Sequence, residues 1–121
     1  YRSKMDSIRK DLIKLDENPD EIKLDETFEL NSKNEALGCL YVIEGSTMGG
    51  AMIANQLPKS EALKDSLTLN YYGIYGDKTR EYFLELAEII NSNSKIRKDA
   101  DEITEACKKT YRFMIDLFKK Y

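Results

Sequence analysis

At 121 residues and 14.0 kDa the chain suits one small domain, and its 34% charged and 41% hydrophobic residues are ordinary for a soluble protein rich in exposed helices. A net charge of -3 and a pI near 5.1 exclude the basic face that non-specific nucleic-acid binding needs, so no nucleic-acid partner is expected. The longest apolar run, around Leu37 to Ile43, is cut short by Glu44 and by glycines, so no membrane span is expected, while Cys39 and Cys107 lack CxxC spacing and imply free thiols in a reducing compartment, the cytoplasm.

In chain order, Tyr1 to Leu15 sets Met5, Ile8, Leu12 and Leu15 at helical spacing and predicts an amphipathic helix that packs. Asp16 to Asn34 is acidic and polar, holds Pro19, has no sustained period and reads as a surface connection. Asn31 or Ser32 is placed to cap the next helix, with Glu35 suiting its positive end. That helix, Glu35 to Leu57, ends at Pro58, which lacks an amide donor and pushes its predecessor out of helical geometry.

Ser60 is placed to cap a short helix, Glu61 to Leu67. Thr68 to Asp77 gathers Tyr71, Tyr72, Tyr75, Gly73 and Gly76 into a stretch unlike regular helix. Such a loop can close over a pocket and offer phenolic hydroxyls, or its rings can simply cover one end of a bundle. Asp77 is the expected cap of a helix running to about Asn91, with Phe83, Leu86, Ala87 and Ile90 buried. A polar break, Asn91 to Ser94, precedes the last helix, Arg97 to Tyr121, whose Ile103, Ala106, Thr110, Phe113 and Leu117 keep a period close to 3.6 residues.

The central segment is the unusual one. It is apolar nearly all round, yet carries Gly38, Gly45, Gly49 and Gly50 inside a helix, where each costs about 1 kcal/mol relative to alanine. At 100° per residue Gly38, Gly45 and Gly49 fall within about 20° of a common line, so one stripe presents bare main chain. Either a flat ligand lies on that stripe or a second helix packs into a Gly45–Gly49 notch. Ser46 and Thr47 add hydroxyls that can hold water or bond back to carbonyls one turn earlier.

The run LYVIEGSTMGG, from Leu40 to Gly50, with Ala36, Leu37 and Gly38 before it, resembles the distal-helix signature of bacterial biliverdin-producing heme oxygenases. The likeness continues less specifically through YYGIYG at 71 to 76 and the C-terminal amphipathic helix. It implies a single all-α domain over 1–121, a heme-oxygenase-like helical bundle, here partial. The implied parent function is oxidative opening of heme to biliverdin, carbon monoxide and iron, with electrons from a ferredoxin or reductase. By resemblance Gly45, Gly49 and Gly50, with Tyr41 and Met48, would face the heme as cofactor and substrate. Ser46 takes the place where some members carry the aspartate that organises distal water.

One departure bears directly on chemistry: the chain has no histidine. The family's axial histidine stands on a helix well before the signature, which implies either the C-terminal part of a longer protein or a relative that has lost the ligand. Both imply little or no turnover by this chain as given. Met48, Met52, Tyr41 and Cys39 are replacement iron ligands only from the side where oxygen should bind, so no metal ligand is assigned. Lys78 and Arg80 are the candidate propionate partners, with a plain surface role as the alternative.

Glu44 on a mainly apolar face implies a raised pKa or a buried anchoring contact. Zinc, di-iron, P-loop, dinucleotide and triad signatures are absent. The competing expectation is a non-catalytic binding or scaffolding relative that uses the glycine notch for helix packing. A groove lacking its proximal helix would also promote self-association.

Overall fold

The computed structural model describes residues 3–23, 26–59 and 69–120, and every regular element among them is helical. Five α-helices follow in order: α1 (Met5–Lys14), α2 (Lys33–Gln56), α3 (Thr79–Ser92), α4 (Ser94–Lys98) and α5 (Ala100–Lys120). The expected all-α class is thus observed. The short helix expected over Glu61 to Leu67 lies outside the described residues.

The chain separates into two compact units, Tyr1–Asp25 with Thr47–Arg80 and Glu26–Ser46 with Glu81–Tyr121, and α2 runs from the second into the first. In the second unit Val42, Leu86, Ile103 and Ala106 form the buried apolar core. They come from α2, α3 and α5. Thr110 is buried beside them and donates its hydroxyl to the Ala106 carbonyl at 2.9 Å, so its polar atom is satisfied inside its own helix.

Residues 26–31 of that unit run without regular structure and are tied to α5. Lys109 donates to the Glu29 carbonyl and to Glu35, both at 3.2 Å, and stands over the Phe28 ring. Phe28 in turn packs on Phe113, centroids 4.9 Å apart. Helix α2 starts where expected: the Ser32 hydroxyl accepts from the Glu35 amide at 3.1 Å, and the Glu35 carboxylate accepts from the Asn31 amide at 2.7 Å. That amide, with the Lys109 ammonium, holds the Glu35 carboxyl below its ordinary pKa.

Two expected boundaries shift. Asp77 does not begin α3; it lies in a 3-10 turn, Gly76–Lys78, and the helix opens at Thr79, whose hydroxyl donates to the Gly76 carbonyl at 2.7 Å. The single last helix is two, because Asn93 caps α4, accepting from the Lys95 and Ile96 amides at 3.0 and 3.3 Å, and the chain turns at Asp99 before α5.

In the first unit α1 ends in a left-handed residue, Asp16 at φ 60, with the Glu17 amide donating to the Leu12 carbonyl and the Asp16 amide to the Ile13 carbonyl. That pair of bonds is a Schellman stop with aspartate where glycine is usual. Apolar burial is thin here: Met5, Ile13 and Leu15 of the same segment are exposed. By length and composition α2, with the turn after it, is the one candidate membrane span among the described residues, a make-up that the core helix of a soluble protein shares.

Candidate functional site

The glycine stripe of α2 divides into a filled part and an open part. A β-carbon on Gly38 would come within 2.6 Å of the Ala106 β-carbon and 2.7 Å of the Ile103 carbonyl oxygen, so α2 and α5 touch main chain to main chain. The close helix contact thus falls at Gly38, outside the Gly45–Gly49 notch that the packing alternative named. Gly45 is looser, its would-be β-carbon 3.4 Å from the Phe83 ring, an ordinary contact. Gly49 meets nothing within 4 Å. Gly50, about 100° further round the helix, is buried against Tyr72, whose carbonyl oxygen would be 3.3 Å from an added β-carbon.

Around the open glycine the apolar side chains of α2 stand in solvent. Met48 is 38% exposed and Met52 72%, with Ile53 exposed beside them. Ser46 is exposed and donates to the Ile43 carbonyl at 2.7 Å, one turn back along its own helix. Its proton is committed, and its oxygen remains an acceptor for an external donor. Tyr41 packs its ring on Phe83, centroids 5.6 Å apart. Of the residues singled out, Gly49, Met48 and Ser46 are each exposed, whereas Gly50 is already covered.

Glu44 is buried to 1% exposure, and no buried side-chain polar atom among the described residues lacks a hydrogen-bond partner. Its side chain is therefore hydrogen-bonded in the protein interior. Cys39 and Cys107 are free and half-buried. The Cys107 thiol lies 3.4 Å from the Gly38 carbonyl, and burial pushes its pKa up, which keeps it protonated at neutral pH.

The tyrosine stretch is fastened from α1. Asp11, buried in the first unit, accepts from the Asn70 amide and the Asn70 side chain with one oxygen and from the Tyr71 amide with the other, all at 2.7 Å. Burial works to raise the Asp11 pKa, but these bonds and the Lys14 charge outweigh it and hold the carboxyl below its usual value. Tyr72 stacks edge-on with Tyr71 and covers Gly50, and the Tyr75 hydroxyl accepts from the Lys4 ammonium at 3.1 Å. The rings therefore serve as cover. Lys78 and Arg80 are exposed.

Asp11 is the structural residue that sequence reading passed over. Its signal was faint: one carboxylate at Asp11, between Lys10 and Leu12 on an amphipathic helix, where solvated charge is the default. No protein-family model matches the chain, and comparison with curated proteins and with solved structures likewise finds no match.

Proposed function

We propose that this chain is a heme-oxygenase-like domain whose parent function is the oxidative opening of heme to biliverdin, carbon monoxide and iron, and that the chain as given binds heme without turning it over. The observation that carries the reading is Gly49: a glycine inside a helix, with no neighbour that a side chain would strike, flanked by exposed Met48 and by Ser46 within the LYVIEGSTMGG run. A helix gives up about 1 kcal/mol for such a residue, and internal packing does not repay it here. A flat ring resting on bare main chain supplies a reason.

The residues fit the group on one side only. The open turn at Gly49, with the Ser46 oxygen as acceptor, suits the distal face of a porphyrin. For the iron the donor set does not fit: the chain has no histidine to serve as the axial ligand that the family reading requires. No step of the reaction is therefore assigned to this chain. Heme, an electron donor such as a ferredoxin or reductase, and self-association through the exposed methionines are its proposed associations, with a cytoplasmic setting.

The second reading is a non-catalytic scaffolding relative, favoured by Gly38, where the bare main chain admits α5 and nothing else. An absorbance titration separates the two. Hemin added with imidazole as an external axial ligand should saturate at one equivalent and give an imidazole-ligated Soret band on the protein. A Soret band unchanged from hemin and imidazole in buffer would favour the scaffold.

A further inference from the structure

A cavity of about 380 Å³ in the second unit shares only Tyr41 with the heme reading. Its walls include Ile90 of α3, Ile96 of α4, and Ala100 and Ile103 of α5, and its polar lining includes Asn91 and Arg97. The volume is that of a site for a small ligand rather than a packing defect.

What marks it as a site is the state of its polar groups. The Arg97 guanidinium makes no ion pair or hydrogen bond among the described residues, and the Asn91 side-chain amide makes none either. No acidic side chain lines the cavity to neutralise the cation. Helix α4 also carries Lys95 and Lys98, while the acidic Asp99, Asp101 and Glu102 that follow it are not among the residues that line the cavity. Thr104 already donates its proton to the Ala100 carbonyl at 2.8 Å, and the Cys107 wall is a neutral thiol.

We propose that this cavity binds a small amphipathic monocarboxylate, its apolar body against Ile90, Ile96 and Ile103 and its carboxylate on the Arg97 guanidinium and the Asn91 amide. A planar two-oxygen anion matches the guanidinium fork, and a neutral amide donor completes the set without a second cation. One arginine and a cavity this small suit a single charge, not a polyphosphate.

Amide chemical shifts followed by NMR during titration with sodium octanoate test the assignment, with octan-1-ol as the uncharged counterpart. Octanoate should move, saturably, the amides of residues 90–107 and Tyr41, and octan-1-ol should bind at least about tenfold more weakly. Arg97→Gln, a substitution at an exposed position that the fold does not lean on, should weaken octanoate about tenfold and leave octan-1-ol unchanged. Equal affinity for acid and alcohol, octanoate binding unaffected by Arg97→Gln, or shifts scattered away from these helices would each overturn the proposal. None of these residues but Tyr41 belongs to the heme reading, so either can fail without the other.

Discussion

Gly38 and Ala106 meet with no room for a methyl group between them: a β-carbon on the glycine would lie 2.6 Å from that of the alanine and 2.7 Å from the Ile103 carbonyl oxygen. The obstacle is partly α5 backbone, which cannot rotate away. Gly38→Ala should therefore destabilise the protein by about 1–3 kcal/mol, the overpacking cost outweighing the roughly 1 kcal/mol that alanine adds to helix propensity. Urea denaturation read by circular dichroism measures it.

Gly49→Ala has the opposite sign. Nothing stands within 4 Å of the added methyl, so only the propensity gain operates. Stability should rise by about 0.5–1 kcal/mol in the same denaturation experiment. A loss would mean that something packs on Gly49 in solution.

Asp11 makes acid stability local. Its carboxyl titrates lower in the folded chain than in the unfolded one, so its contribution is complete above about pH 4 and is lost as pH falls through the depressed folded value. Asp11→Asn keeps one accepting oxygen and turns the other into an amide donor, which then faces either the Tyr71 amide or the Asn70 donors, and should cost about 1–3 kcal/mol at pH 7, with a smaller difference from the parent at acid pH. Chemical denaturation of both proteins across this pH range checks the sign and the convergence.

Asp16 holds φ 60 at the end of α1, where a β-carbon is disfavoured, and its side chain makes no hydrogen bond or ion pair among the described residues. Asp16→Gly should stabilise by about 0.5–1 kcal/mol, read as a higher denaturation midpoint.

Much of the architecture could be read from local pattern. The period of α5, the stop at Pro58 and the Ser32 and Glu35 start of α2 all act within one or two turns, where residue type and spacing decide the outcome. The displaced boundary at α4 and α5 came from one side chain, Asn93, capping two amides a few residues before the strongly periodic stretch. Asp11 escaped because its partners stand 59 and 60 residues away in sequence. The glycine stripe escaped for a related reason: the fit at Gly38 depends on Ile103 and Ala106 of α5, more than sixty residues away in sequence.

The most direct test of the central claim is the affinity for hemin, with imidazole present, of the parent chain and of Gly49→Leu. The account predicts that the variant folds at least as stably as the parent and binds hemin about tenfold or more weakly, because the leucine occupies the surface on which the ring would rest. Equal hemin affinity in the two proteins, or no stoichiometric binding by the parent, would contradict it.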